Sequence, residues 1–125
     1  MITKETSPLT ERIIGLAIEV HRNLGPGLLE SLYESALCLE FESAGMQYER
    51  QKIVPVSYKG CTIGEYRLDL LVDKAVVLEL KSVDRHDAVF EAQVISYLKI
   101  SGIRVGLLIN FNTRLLKDGV KRFML

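Results

Sequence analysis

The chain has 125 residues, of which 48% are hydrophobic and 26% charged, and its 16 basic residues balance 16 acidic ones. This composition predicts one compact globular domain over residues 1–125. Zero net charge argues against a protein that coats nucleic acid through bulk charge, but it does not exclude contacts with a few phosphates. No apolar run approaches the ~20 residues of a membrane span, and Met1 to Pro8 contain no apolar signal segment, so we expect no membrane partner.

The two cysteines, Cys38 and Cys61, match no metal-binding spacing and do not make a disulfide framework. A cytoplasmic location is therefore the default expectation. The sequence leaves the oligomeric state open, with a homodimer as one option.

Two amphipathic helices are predicted at the start of the chain. Ser7-Pro8 is typical of a helix start, and apolar residues follow it at helical spacing until Gly25-Pro26-Gly27. The second helix is predicted from about Leu28 to Ala44. Its apolar stripe consists of Leu29, Leu32, Tyr33, Ala36, Leu37 and Phe41.

Three strands joined by short turns are predicted next, as an antiparallel meander. Their ranges are Tyr48–Tyr58, Cys61–Val72 and Ala75–Lys81. Pro55 cannot donate a ladder hydrogen bond, so the first strand is predicted at a sheet edge, or with its proline nitrogen unpaired.

A third helix is predicted from about His86 to Ser101, with Asp84 or Asp87 as its cap. Apolar residues lie nearly all round it, so we expect it to be largely buried. Val105–Phe111 is predicted as a buried strand and Val120–Leu125 as a short edge strand.

Two carboxylates and a lysine are predicted to converge in the hairpin of the second and third strands. A three-residue connection at 73–75 places Asp69 opposite Glu79, which shares a strand face with Lys81. Adjacent carboxylates repel, and a hard divalent cation such as Mg²⁺ relieves that repulsion. A nearby lysine can orient a water or stabilise charge on a phosphate. The alternative interpretation is a surface strand with a Glu–Lys pair.

Other polar residues on the helices each have a structural alternative. Glu30 lies in the first turn of the second helix, where a carboxylate also complements the helix dipole. Gln93 and Tyr97 lie four residues apart on one side of the third helix, where the backbone could satisfy a buried amide and phenol.

This order of elements and residues resembles the PD-(D/E)xK nuclease superfamily. Asp69 and Glu79-x-Lys81 match its active-site hairpin, and Gln93-x-x-x-Tyr97 is similar to its exonuclease branch. Gly27-Leu28-Leu29-Glu30-Ser31-Leu32-Tyr33 matches the GxxExxY family, which is assigned to the same superfamily. The resemblance implies an α/β fold with a restriction-endonuclease-like α-β-β-β-α-β core, in which helices flank a mixed central sheet.

The resemblance also implies a metal site. Asp69 and Glu79 would ligate Mg²⁺, with Mn²⁺ as substitute, and Glu30 would add a direct or water-mediated contact. The carbonyl of Leu80 would complete the shell.

The same resemblance implies catalytic roles for other residues. Lys81 would orient or help deprotonate the attacking water, and Gln93 and Tyr97 would support the site or hold a DNA phosphate. The reaction would hydrolyse a phosphodiester of nucleic acid, with DNA preferred, and leave 5′-phosphate and 3′-hydroxyl ends.

Two other functions remain open from the sequence. One is a catalytically quiet module on the same fold that binds nucleic acid or protein, which zero net charge favours. The other is a hydrolase of nucleotides or other phosphoesters. The hydrolase interpretation is the weaker of the two, because Gly25-Pro26-Gly27 is too short for a phosphate-cradling loop and opens on proline.

Overall fold

The structure is a computed structural model that describes residues 7–125. Within this range the helices are α1 (Ser7–Leu24), α2 (Glu30–Ser43) and α3 (Ala88–Ser101), with a 3₁₀ turn at Leu116–Gly119. The strands are β1 (Tyr48–Tyr58), β2 (Cys61–Val72), β3 (Val76–Lys81), β4 (Val105–Asn110) and β5 (Val120–Met124).

The five strands form one mixed sheet in the order β1-β2-β3-β4-β5. All neighbours are antiparallel except β3 and β4, which are parallel because α3 connects them as a crossover. The predicted α/β fold and its α-β-β-β-α-β order are confirmed. β1 and β5 are the edge strands, as predicted, and Pro55 lies on β1.

The sheet buries a separate core on each face. On one face, α1 and α2 pack Ile13, Tyr33 and Phe41 against strand residues such as Leu78 and Leu107. The core on the other face is smaller, and α3 covers it. Its buried members are Leu68, Leu71, Val77, Val94, Leu98 and Leu108. This layering places the ends of β3 and β4 between α2 on one side and α3 on the other.

The alternation of side chains along β2 is broken at Asp69. Leu70 packs in the core under α1 and α2, whereas Leu68, two residues earlier, packs in the core under α3. Across from this point, Gln51 of β1 has a positive φ of 53°. A regular strand would place both leucines on one face, so the strand changes direction at Asp69.

Beyond this bend, β1 and β2 continue as an exposed hairpin. We call residues 53–67 the hairpin arm. Every residue of its second strand from Cys61 to Arg67 is exposed, including Ile63 at 65%. The arm is therefore held mainly by its own ladder of backbone hydrogen bonds.

The structure corrects the predicted packing of α2. The helix begins at Glu30 rather than near Leu28, and Leu29 and Leu32 of the predicted stripe are 73% and 50% exposed. Glu34 and Cys38 are buried instead. The buried stripe of α2 is therefore rotated around the helix axis. It includes Glu34 and Cys38, whereas hydrophobicity alone predicted Leu29 and Leu32.

The prediction that α3 is largely buried is wrong. Only Val94 and Leu98 are buried, and Val89 is 49% exposed, because the sheet covers one side of this helix and no described element covers the other. The helix begins at Ala88. Asp87 caps it by accepting a 2.9 Å hydrogen bond from the Val89 N–H.

Strand ends differ from the prediction by one residue in three places. β3 begins at Val76, β4 ends at Asn110 and β5 ends at Met124. No helix within residues 7–125 has the length and apolar character that crossing a membrane requires. The predicted absence of a signal segment falls largely on residues outside the described range.

Candidate active site

Asp69 and Glu79 meet where β2 and β3 separate. The register pairs Leu70 with Leu78, which places Asp69 opposite Glu79 as the hairpin arithmetic predicted. Beyond the Leu70–Leu78 pair, hydrogen bonds from backbone N–H groups to carboxylate side chains connect the two strands. The Asp69 N–H donates to Glu79 Oε1 at 3.3 Å, and the Leu80 N–H donates to Asp69 Oδ2 at 2.9 Å. Each carboxylate therefore holds the opposite strand.

Glu79 is buried, with 5% of the residue exposed, and the pKa of its carboxyl group is strongly raised. Its pKa is raised to about 9, first by burial and second by the negative charge of Asp69. A hydrogen bond between the two carboxyl groups acts in the same direction, while Lys81 opposes the shift. Without a cation, Glu79 therefore keeps its proton at neutral pH.

Lys81 ends β3 on the same strand face as Glu79. Its ammonium lies 4.6 Å from the centre of the Phe90 ring, in a cation–π contact. Among the described residues it forms no ion pair, although its charge lowers the pKa of both Glu30 and Glu79. The lysine is near the carboxylates without being neutralised by one of them.

The backbone of Leu80 faces Asp69 on β2. The N–H and C=O groups of one strand residue point to the same neighbouring strand, and the Leu80 N–H bonds the Asp69 side chain. The Leu80 carbonyl therefore faces β2 on the side of Asp69, and its side chain is buried in the α1 and α2 core.

Glu30 approaches from the N-terminus of α2. Ser82, directly after β3, donates a 2.5 Å hydrogen bond to the Leu28 carbonyl and so ties the start of α2 to the end of β3. Glu30 is exposed as a residue, but burial of its carboxyl group raises the pKa. Lys81 lowers this pKa and Asp69 raises it, so Glu30 is within electrostatic reach of both.

The other positions of the GxxExxY pattern shape the loop before α2. Gly27 has a φ of +97°, which favours glycine. The buried Tyr33 hydroxyl donates to the Gly25 carbonyl at 2.5 Å and accepts from the Leu28 N–H at 3.1 Å. Its ring stacks on Phe111 at 4.4 Å. The glycine and the tyrosine thus fix the loop that delivers Glu30.

Tyr97 of α3 lies near the carboxylate pair. Its pKa is raised to about 12, mainly by burial and then by the charges of Glu79, Tyr66 and Asp69. Its ring meets that of Tyr66 edge-on at 5.0 Å. Gln93, one turn earlier, is half-buried and makes no side-chain hydrogen bond within the described residues. Val94 and Leu98 are buried in the smaller core, and Tyr97 packs against its edge.

The donor set suits a hard divalent cation in the way Mg²⁺ is usually bound. In residues 7–125, no three His, Cys, Asp or Glu side chains form a metal-holding cluster, so Glu30 is not already joined to the pair. Mg²⁺ typically takes one or two carboxylates together with waters and substrate phosphates. Asp69 and Glu79 supply such a pair, and a cation there would offset the burial and the Asp69 charge that together keep Glu79 protonated.

The sequence profile of the PD-(D/E)XK nuclease superfamily matches residues 7–123, a range that runs from the start of α1 into β5. The chain belongs to the PD-(D/E)XK nuclease superfamily. A comparison with curated proteins gives no match. Superfamily membership supports nuclease-type activity on nucleic acid, and these nucleases generally use divalent metals, typically Mg²⁺.

Three residues near the predicted site were not foreseen in the sequence. Phe90 contacts the Lys81 ammonium, and Tyr66 contacts Tyr97. Glu34 is buried and accepts a 2.6 Å hydrogen bond from Arg50. A carboxylate one turn after Glu30 was the only available signal for Glu34, and nothing in the local pattern indicated the two aromatic residues.

Proposed function

We propose that this superfamily member is a metal-dependent nuclease that hydrolyses phosphodiester bonds of DNA, in one domain, and that it belongs to the GxxExxY family. The observation that carries the proposal is the reciprocal hydrogen bonding of Asp69 and Glu79 beside Lys81. The loop geometry at Gly27 and Tyr33 supports the family assignment. Two free cysteines, one of them exposed, support a cytoplasmic location.

The carboxylate pair has a defined task in this proposal. Asp69, Glu79 and the Leu80 carbonyl hold Mg²⁺, or Mn²⁺ in its place, and Glu30 adds a direct or water-mediated contact. When bound, the cation supplies positive charge next to the phosphate and makes water more acidic. A cation held there would favour the deprotonated form of Glu79, against the burial and the Asp69 charge that raise its pKa.

The remaining residues act on water and phosphate. Lys81 orients the attacking water or helps to remove its proton, while Gln93 and Tyr97 support the site or contact a phosphate. The water oxygen forms a bond to phosphorus, and the bond from phosphorus to the 3′ oxygen breaks. The 3′ oxygen takes a proton, which leaves 3′-hydroxyl and 5′-phosphate ends.

A second candidate is a catalytically quiet module on the same fold. Zero net charge favours it, and so does the position of the Lys81 ammonium over Phe90, away from an ion pair. Metal binding separates the two candidates, because a quiet module has no use for a cation at the carboxylate pair.

The deciding experiment is a cleavage assay on single-stranded, duplex, branched and RNA substrates with Mg²⁺ or Mn²⁺. We expect cleavage that EDTA abolishes and that Asp69→Asn lowers by two or more powers of ten. Asp73→Asn is the matched control, because Asp73 lies exposed in the turn of the same hairpin. Absence of cleavage on every substrate, together with no Mn²⁺ binding by calorimetry, would leave the quiet module as the better description.

A further inference from the structure

A cavity of about 330 Å³ begins at Lys81 and extends along the ends of β3 and β4 toward β5. It lies on the side of Lys81 away from β2, and Lys81 is the only proposed site residue in its lining. Its lining includes Lys81, Val83, Phe90, Asn110, Asn112 and Lys121.

The cavity is lined by both apolar and polar side chains. Phe90, Val83 and Leu108 supply the apolar surface. The polar side chains include Asn112, whose amide donates to Asp84 Oδ1 at 2.7 Å. A planar ring with polar edges matches this combination, because its face can pack on apolar groups while its edge bonds an amide or a carboxylate.

Asn110 makes the polar part of the lining rigid. Its side-chain oxygen accepts from the Val83 N–H and the Asn112 N–H, both at 3.1 Å, and its amide donates to the Val83 carbonyl at 3.0 Å. The cavity is thus shaped before any ligand arrives, which reduces the entropy lost on binding.

The cavity lining includes two cationic side chains, Lys81 at one end and Lys121 at the other, and two carboxylates, Asp84 and Asp118. The Lys121 ammonium forms an ion pair with the Glu91 carboxylate at 2.9 Å, whereas Lys81 has no carboxylate partner among the described residues. A ligand with a phosphate at Lys81 and a neutral polar ring farther in would match this distribution.

We propose that this cavity takes the base of one unpaired nucleotide, adjacent to the phosphate at Lys81. The inference rests on the proposed nuclease function and deepens it by naming a substrate class. A volume near the small end of the range for ligand pockets admits one nucleoside but no base pair. The base must leave its stack to enter, so single strands, flaps and frayed ends are cut in preference to uninterrupted duplex.

The test places a single abasic residue at successive positions along a single-stranded oligonucleotide and measures cleavage by the wild-type protein with Mn²⁺. We expect KM to rise about tenfold when the abasic residue is next to the cleaved phosphate, and little change at other positions. This arm needs no variant, so it does not depend on how a substitution folds.

A cavity-filling variant, Val83→Phe, supplies the second arm, and Val89→Phe is its control. Val89 lies on exposed surface of α3 outside the cavity. We expect Val83→Phe to raise KM for the intact oligonucleotide about tenfold and to become insensitive to the abasic residue, while Val89→Phe behaves as wild type.

Three results are distinguishable. Cleavage with an abasic effect that Val83→Phe removes supports the inference. Cleavage with a flat abasic scan overturns the cavity assignment and leaves the nuclease function standing. Absence of cleavage by the wild-type protein on every substrate overturns the nuclease function itself, and with it the inference.

Discussion

The Glu34 carboxylate of α2 accepts a 2.8 Å hydrogen bond from the Gln51 amide, and Gln51 is the β1 residue across from Asp69. The other Glu34 oxygen bonds Arg50 at 2.6 Å. One buried carboxylate therefore joins the helix that carries Glu30 to the strand that flanks Asp69. This contact sets how close Glu30 lies to the carboxylate pair.

Glu34→Ala should lower stability and activity together. It removes the acceptor of Arg50 Nε and of the Gln51 amide, and leaves Arg50, which is 41% exposed, with its bond to the Ser35 hydroxyl, so we expect a loss of roughly 1–3 kcal/mol. Urea unfolding measures the stability. Glu40→Ala on the same helix is the control, because Glu40 has no side-chain ion pair within the described residues. An unchanged unfolding midpoint for Glu34→Ala would contradict the proposed link.

Lys81→Ala and Asp69→Ala should differ in metal binding. Removal of the ammonium leaves both carboxylates in place, so calorimetric Mn²⁺ titration should find binding retained or tighter while turnover falls by two or more powers of ten. Asp69→Ala should lose both. Lys99→Ala, an exposed position of α3, controls for the loss of one charge. Wild-type turnover by Lys81→Ala would refute the catalytic role of this lysine.

The stability of the metal-free protein should fall as pH rises, because of Glu79. Its pKa is about 9 in the folded chain and ~4.3 when unfolded, so between these values the folded state holds one more proton. Stability is then lost with increasing pH, by at most ~1.4 kcal/mol per unit. Glu79→Gln lacks this proton, so its stability in EDTA should fall less than that of wild type when the pH rises from 5 to 8.5. Urea unfolding of both proteins at the two pH values measures this difference. Equal pH slopes for the two proteins would show that this proton is absent.

Tyr97 should act as a hydrogen-bond donor and never as a base. Its pKa is raised to about 12 by burial and by the charges of Glu79, Tyr66 and Asp69, so the phenol stays protonated throughout the working pH range. We expect Tyr97→Phe to lower kcat/KM about tenfold while the shape of the pH–rate profile stays the same. Loss of an alkaline limb in this variant would instead mean that the phenol titrates.

Gly119→Ala should destabilise the fold. A Cβ at this position would lie 2.2 Å from the Asn110 carbonyl oxygen, so the 3₁₀ turn and the end of β4 would have to move apart. We expect a loss of ~1–3 kcal/mol in urea unfolding. Gly64→Ala is the control, since a Cβ there would meet nothing within 4 Å. A neutral Gly119→Ala would mean that the turn yields without cost.

The hairpin register was the part of the site that could be predicted from the sequence. Strand alternation and a three-residue turn determine that Asp69 faces Glu79, because both are local properties. The reciprocal side-chain hydrogen bonds could not be predicted in this way. They depend on the bend at Asp69, which in turn depends on which core each of the leucines Leu68 and Leu70 enters.

Other features required knowledge of tertiary packing. Periodicity placed apolar residues on α3 without telling which side the sheet would cover, so its burial was overestimated. The contact of Lys81 with Phe90 joins two elements that are adjacent only after the crossover has formed. Glu34 was overlooked because its burial depends on Arg50 and Gln51, which lie on a different element.

The hairpin arm divides the molecule by local stability. We expect amide hydrogens in the arm to exchange faster than those of the central β3, because the ladder between β1 and β2 protects them with few tertiary contacts, such as that of Tyr66 with Tyr97. Asp69 lies on the boundary, with the arm on one side and the buried sheet on the other. The Asp69–Glu79 pair is therefore anchored to the part of the chain that we expect to exchange most slowly, even if the arm opens.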